Sequence, residues 1–277
     1  MSQNVFKYPG GKTQMADWII EHFPDHECFV EVFGGSAAVT ANKDPSKVEV
    51  YNDLDGDLVH FFVTMRDNTQ ELIEWLRDTP HSRELQQEYA QEFYNGVRPD
   101  DDIERAGRFF YLRETQFAAK YDGVSGYNGG MKRNQAATYA NKRDRLSMWS
   151  ERFDHVQIEQ LDYADLFDRY DSKTTLFYCD PPYVKEGDDL YSHGEFNHER
   201  FVYELSKLKG DWCVSYTDLP QGLENIAETV ATKEQTYCMR AGQGNWEKSN
   251  TERLVLNYDI THTDSFSAGN STLGAYQ

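Results

Sequence analysis

At 277 residues the chain can bury a large core, in one large or two modest domains, and it carries a formal charge of −19 at pH 7. No apolar run reaches the roughly 18 residues of a membrane-spanning helix, and the segment from Met1 to Lys7 has no signal-peptide core, so a cytoplasmic protein with no membrane contact is expected. Cys28, Cys179, Cys213 and Cys238 form no C-x-x-C pair and have no histidine at metal spacing, which argues for reduced, buried thiols and against zinc or disulfides; no metal is expected.

In chain order, Met15, Trp18, Ile19, His22 and Phe23 fall at helical spacing, predicting a helix over residues 13–23 with Thr13 as N-cap and Pro24 as its end. Cys28–Phe33 reads as a short apolar strand, Gly34-Gly35-Ser36 as a tight turn, and Ala37–Ala41 as the opening of a helix. A second strand, Val48–Tyr51, ends at Asn52-Asp53, followed by helices over Leu54–Met65 and Glu71–Leu76. Strand, glycine turn, helix, strand, acid is the order of half a nucleotide-binding α/β sheet. The middle differs: residues 80–104 are polar and helical, Ala106–Ala119 is an aromatic-rich helix, and Lys120–Ala140 shows no period and reads as a long functional loop. Sheet pattern resumes at Val156–Ile158, Thr174–Cys179, Trp212–Tyr216 and Arg253–Tyr258, with helices over 163–170 and 197–208. Residues from about 261 are rich in Ser, Thr and Gly, so 261–277 is expected to be a disordered tail.

Asp180-Pro181-Pro182-Tyr183 follows the strand that ends at Cys179. Such a turn puts a carboxylate, two prolyl carbonyls and an aromatic face at the carboxyl edge of a sheet, where α/β proteins bind ligands. That set suits a planar exocyclic amine. Alone it also fits a strand stop, the lesser of the two readings, because neither proline donates to the ladder. Asp53 likewise suits two ribose hydroxyls or a helix N-cap. The glycine turn after Phe33 lets a backbone approach a ligand closely, and it departs from G-x-G-x-x-G. Tyr8-Pro9-Gly10-Gly11-Lys12-Thr13 is not a phosphate loop, since Phe6 stands where the pattern needs glycine. Between Arg105 and Arg152 ten Lys/Arg stand against four Asp/Glu, a basic stretch in an acidic chain. It reads as a polyanion-binding insert or as a solvated basic face. The acidic remainder suits high salt.

Tyr8-Pro9-Gly10-Gly11-Lys12, Phe29–Ser36, Asn52–Asp55, Leu161-Asp162-Tyr163, Asp180–Tyr183 and Val214–Asp218 occur in order in one chain. Together they resemble the D12, or Dam-like, class of N6-adenine DNA methyltransferases, over most of residues 5 to 259 and in the α-group order of motifs. The resemblance implies a Rossmann-like, S-adenosylmethionine-dependent methyltransferase sheet (residues 1–65 and 153–260) with an inserted, mainly helical target-recognition domain (66–152). It implies methyl transfer from S-adenosyl-L-methionine to the N6 amine of a flipped adenine in a specific DNA sequence. Tyr8 and Lys12 would contact cofactor, Asp53 its ribose, Asp162 and Tyr163 its adenine, and Glu31, Phe33 and Gly35 its methionine end. Asp180 would lie between cofactor and base, with Pro181, Pro182 and Tyr183 completing the catalytic set. The basic stretch falls in the recognition slot, which makes Arg113, Lys120, Lys132, Arg133, Lys142 and Arg143 the DNA-binding candidates. Double-stranded DNA is the implied partner, and the family admits a cognate restriction nuclease. Where Dam-like enzymes share Asn-Arg-Thr-Cys-Phe-Asn-Gly this chain has Arg113–Ala119, so the resemblance does not extend to GATC. Transfer to cytosine N4 or RNA adenine, and a DNA-binding module without catalysis, are the other readings the residues leave open.

Overall fold

The computed structural model describes residues 3–116, 123, 125–183, 196–240 and 245–260; Lys120 and the expected tail, 261–277, lie outside them. Seven strands form one sheet in the order β3-β2-β1-β4-β5-β7-β6. They are β1 (Cys28–Glu31), β2 (Val48–Asn52), β3 (Val156–Glu159), β4 (Thr175–Cys179), β5 (Asp211–Tyr216), β6 (Thr229–Arg240) and β7 (Asn245–Leu256). The first five run parallel, and β7 and β6 close the edge antiparallel. This is the Rossmann-like sheet that the resemblance implied, half of it already signalled by the order of strands and helices.

Alternation along the strands sorts side chains to the two faces. Phe29, Leu176, Tyr178, Cys213, Leu254 and Leu256 pack on one face with Met15 and Ile19 of the N-terminal helix. Val30, Phe177, Cys179, Val214 and Val255 pack on the other with Leu166, Phe167 and Phe201. The strand order reverses between β1 and β4, whose registers pair Glu31 with Tyr178. Ligand crevices form at such switch points.

Helices α2 (Gly56–Asp67), α3 (Thr69–Asp78), α4 (Arg83–Tyr94), α5 (Asp102–Thr115), α6 (Gln135–Asp144) and α7 (Leu146–Phe153) lie between β2 and β3. Their core joins Phe61, Phe62, Phe109, Phe110, Tyr139 and Trp149 to Phe6 and to Tyr51 and Val156 of the sheet. Each large apolar side chain buried there contributes about 1.5–3 kcal/mol relative to exposure.

Several expectations shift. The helix expected over residues 13–23 is a single 3-10 turn, Lys12–Gln14, followed by α1 (Ala16–Ile20), so Thr13 is inside the turn and caps nothing. Residues 37–41 form turns rather than a helix. Gly35 (φ +49) and Ala37 (φ +53) are left-handed, which a right-handed helix does not admit. The long loop is shorter than expected, because Asn134 accepts from the Ala137 amide (3.0 Å) and starts α6. Strand β6 has no counterpart in the sequence reading; it exists by pairing with β7.

Candidate active site

A cavity of about 330 Å³ opens at the carboxyl ends of β1, β2 and β4. Its walls bring together Tyr8, Lys12, Glu31, Phe33, Gly35, Asp53, Asp162, Tyr163, Asp180 and Pro182, nearly all of the expected cofactor and catalytic positions. Phe196, Asn197 and Arg200 also line it and were not anticipated. They belong to the start of α9 (His198–Leu205), where Asn197 caps the helix by accepting from the Arg200 amide (2.8 Å).

The glycine turn is built around a buried acid. Glu31 is 2% exposed, and its carboxylate accepts from the Val39 amide (3.3 Å), the Thr40 amide (3.0 Å) and the Thr40 hydroxyl (2.5 Å). Burial pushes this carboxyl up to about 7, against the pull of those three bonds. A side chain at Gly34 would strike the Tyr51 ring 2.1 Å away, and the Tyr51 hydroxyl donates to the Gly35 carbonyl (2.8 Å). Asp53 bridges the same turn, accepting from the Gly35 amide (2.9 Å) and the Asp55 amide (2.9 Å). The N-cap of α2 is Asp55, which accepts from the Asp57 amide, so Asp53 is not spent on that role.

At the other end, Asp162 caps α8 (Tyr163–Tyr170) through the Ala164 amide (3.0 Å) and pairs with Arg200 (2.7 Å). The Arg200 guanidinium lies over the Tyr163 ring, 4.9 Å from its centroid, and Phe33, Phe196 and Phe201 surround that ring at 5.2–6.0 Å. The result is an apolar slot with an ionic rim.

Between the two ends stands Asp180. Lys12 Nζ is 2.8 Å from Asp180 Oδ1 and donates to the Tyr183 hydroxyl (2.6 Å), lying 4.8 Å from that ring's centroid. The Tyr183 hydroxyl donates to Glu252 Oε1 (2.5 Å), with Asp180 Oδ1 at 3.3 Å. Glu252, on β7, is 5% exposed and 3.6 Å from Lys12 Nζ. Burial pushes the Asp180 carboxyl up to about 6; Lys12 opposes the rise and Glu252 adds to it. Burial and the neighbouring carboxylates drive the Tyr183 phenol far up, so it is a donor here. The sequence reading began the last strand at Arg253 and so passed over Glu252. Period-two alternation with the inward Leu254 and Leu256 was the available signal.

The DNA-binding candidates divide. Arg113 is fully buried in α5, donating to the Tyr94 hydroxyl (3.2 Å) and Gln116 Oε1 (3.0 Å) beside the Phe93 and Phe109 rings, so it is not on a DNA-facing surface. Lys142 turns inward to the Asn4 carbonyl (2.9 Å), and Arg143 folds onto Asp144 (2.8 Å). Arg105 pairs with Asp57, and Arg152 with Glu49. Among the described cations of the basic stretch, Lys132 and Arg133 are the exposed ones, beside the fully exposed Met131. The excess of basic residues is thus spent largely on carboxylates and polar groups of the body rather than displayed. The segment before this tip is tied back to the site, since the Asn128 amide donates to the Thr115 carbonyl (2.7 Å) and Lys7, next to Tyr8, pairs with Glu114 (2.9 Å).

Among the described residues no group of acidic, His or Cys side chains could hold a metal ion, and no helix is long and apolar enough to cross a membrane. Relatives of similar length carry matching chemistry in their names. The chain is 26% identical over 274 residues to the Type II methyltransferase M1.LlaDCHI of Lactococcus lactis subsp. cremoris, covering 91% of this chain and 94% of that protein. It is 25% identical over 270 residues to the Type II methyltransferase M.CviBI of Paramecium bursaria Chlorella virus NC1A (92% and 99%). Against the DNA N-6-adenine-methyltransferase of Escherichia phage P1 it is 26% identical over 209 residues, 71% of this chain and 26% of that larger protein. The family profile of D12 class N6 adenine-specific DNA methyltransferases matches residues 8–219, from the start of the glycine turn at Tyr8 past the end of β5, and the chain belongs to that family of enzymes.

Proposed function

We propose that the methyl donor is S-adenosyl-L-methionine, held in the 330 Å³ cavity, and that Asp180-Pro181-Pro182-Tyr183 holds the target adenine amine beside it. The observation that carries this reading is the position of Asp180, which lines the cavity and at the same time belongs to the Lys12–Tyr183–Glu252 cluster. The donor set fits: Glu31, Asp53, Asp162 and Asp180 face a cavity whose cations are Lys12 and Arg200, an acidic balance suited to a ligand bearing sulfonium and ammonium charges. The apolar slot of Phe33, Tyr163 and Phe196 suits an adenine ring, with Asp162 and Arg200 at its rim. Asp53 lines the cavity where its carboxylate suits ribose hydroxyls, and Glu31 braces the turn whose Gly35 and Tyr8 wall the methionine end.

When bound, this donor supplies an electrophilic methyl carbon on a sulfonium that leaves as a neutral thioether. The residues supply the rest. Adenine N6 is a weak nucleophile because its lone pair is delocalised into the ring. Asp180 and the Pro181 carbonyl accept the two N6–H bonds, favouring a tetrahedral nitrogen whose lone pair points toward the donor. Asp180, with its carboxyl near 6, is ionised at pH 7 and stabilises the positive charge developing on N6. Fixing the reactants in line supplies up to roughly 7–11 kcal/mol of the barrier reduction. The base must leave the duplex, at a cost of a few kcal/mol, and Tyr183 offers it a ring face. The helical insert, 66–152, serves as the target-recognition unit, with Lys132 and Arg133 on phosphates.

Transfer of tritium from labelled donor to unmethylated duplex DNA, followed by nucleoside digestion, tests the reading. N6-methyladenine from the unsubstituted protein and at least about a hundredfold less from Asp180→Ala are expected. Equal incorporation by the two proteins removes Asp180 from the mechanism, and N4-methylcytosine as product removes the adenine assignment.

A further inference from the structure

Glu252 lies beyond the span that matches the family profile, and the catalytic reading above gives it no role in the reaction. It is nonetheless 5% exposed, on the face of β7 that carries the buried Leu254 and Leu256. A carboxylate at an inward strand position is costly unless partnered, and an apolar residue there would serve the fold as well or better. Its partners among the described residues are in the active site: the Tyr183 hydroxyl at 2.5 Å and Lys12 Nζ at 3.6 Å.

Lys12 and the incoming amine draw on the same carboxylate, and Glu252 bears on how it is shared. Lys12 Nζ occupies Asp180 Oδ1 at 2.8 Å, on the carboxylate that must accept the N6–H of the incoming adenine. Lys12 can release that oxygen only if its charge has another acceptor in the same desolvated cleft. Glu252 Oε1, 3.6 Å from Lys12 Nζ, is such a carboxylate among the described residues. We propose that Glu252 is a positioning residue for methyl transfer, fixing the Tyr183 phenol and accepting the Lys12 ammonium when adenine takes Asp180. The inference rests on the adenine reading of the site and adds to it a division of labour between two carboxylates. Asp180 binds substrate, and Glu252 holds the lysine and the tyrosine away from it.

Among the described residues, the groups that face Asp180 are Lys12, Glu252 and Tyr183, with Glu31 on β1, Tyr178 and Cys179 on β4 and Tyr216 on β5. Of these, the Glu252 charge raises the Asp180 carboxyl and Lys12 lowers it. Glu252→Gln keeps the shape, deletes the charge and leaves Lys12 on Asp180, so both changes move the Asp180 titration to lower pH. Carboxyl-carbon NMR of the free full-length protein reads that titration without any catalysis, and a fall of about half a unit or more is expected. In steady-state transfer to unmethylated duplex, kcat of Glu252→Gln should fall about tenfold or more, with KM for the methyl donor within about twofold of the unsubstituted protein. Glu252→Asp, which keeps the charge, should hold the titration near its original position. A double-mutant cycle with Tyr183→Phe should be non-additive, because both changes act on the same Tyr183–Glu252 hydrogen bond, one neutralising its acceptor and the other deleting its donor.

An unmoved Asp180 titration in Glu252→Gln overturns the proposal, as does an unchanged kcat or an additive cycle. Should Glu252→Gln fail to fold in thermal melts, Glu252→Asp decides: an unchanged kcat with the shorter side chain overturns the positioning role. Failure of the adenine reading itself shows separately, as absence of transfer by the unsubstituted protein, while the NMR titration still reports on Glu252.

Discussion

Two buried carboxyls, Asp180 and Glu31, respond to pH in different ways. Asp180 must be ionised to accept an amine N–H, and its carboxyl stands near 6 in the free protein, so kcat/KM should fall on the acid side with a limb close to pH 6. A pH profile of kcat/KM measured at subsaturating DNA checks this, and a limb near pH 4 would contradict it. Glu31 acts on stability instead. Its carboxyl lies near 7 in the fold against an ordinary value of 4.5, so the native chain holds a proton through the window in which the unfolded chain has lost it. The stabilisation from that proton is complete below pH 4.5 and is lost as pH rises through 7, a span of roughly 3 kcal/mol. Thermal melts between pH 5 and pH 8 should show the loss, and Glu31→Gln should flatten the slope relative to the unsubstituted protein. Asp180 was legible in the sequence because an apolar strand and two prolines bracket it. The value of its carboxyl was not, since it depends on Lys12 and Glu252, which only the fold brings to it.

The element that shapes the cavity is the turn after β1, and it depends on close contact more than on helix formation. A methyl group at Gly34 would lie 2.1 Å from the fully buried Tyr51 ring, whose hydroxyl also holds Gly35. Gly34→Ala should therefore destabilise the protein by about 1–3 kcal/mol, measured by denaturant unfolding, and weaken binding of S-adenosylhomocysteine in calorimetry. Undisturbed stability would mean that Tyr51 gives way without cost. Local pattern marked the glycine turn and β2 correctly. It missed that residues 37–41 close around the Glu31 carboxylate, because that arrangement is set by a side chain on the preceding strand. Strand β6 escaped for a similar reason: its order comes from pairing with β7, a non-local contact. In α5 and the tip after it the same lesson gives opposite predictions for two basic sites. Arg113→Ala should cost about 2 kcal/mol or more of stability through lost buried bonds. Lys132→Ala with Arg133→Ala should leave the melting temperature unchanged and weaken DNA binding. Gel-shift titrations beside thermal melts separate the two, and a pair of variants with the effects exchanged would place the phosphate contacts elsewhere.

At the scale of the whole molecule the charge of −19 and the fate of the basic stretch belong together. Counting residues along the chain suggested a basic surface for DNA. In the fold Arg105 answers Asp57, Arg108 answers Glu92 and Glu104, and Arg152 answers Glu49, so most of that positive charge is consumed internally. The surface is left acidic, with exposed runs such as Asp100-Asp101-Asp102. Repulsion among such charges acts over about 10 Å at 0.1 M salt and about 3 Å at 1 M. The melting temperature should therefore rise by at least about 5 °C between low and molar potassium chloride. Salt also weakens phosphate contacts, with a slope in log K of about −0.9 for each phosphate neutralised. Two exposed cations at the tip contribute a slope of only about −2, against the much steeper dependence of a protein with 6–10 contacts. Binding of duplex DNA should thus survive the ionic strength that stabilises the body, with base contacts and stacking carrying a larger share of affinity. Parallel titrations of melting temperature and DNA affinity against salt test both halves. A maximum of stability at low ionic strength would refute the first, and a slope steeper than about −5 would mean that residues beyond Lys132 and Arg133 carry the phosphate contacts.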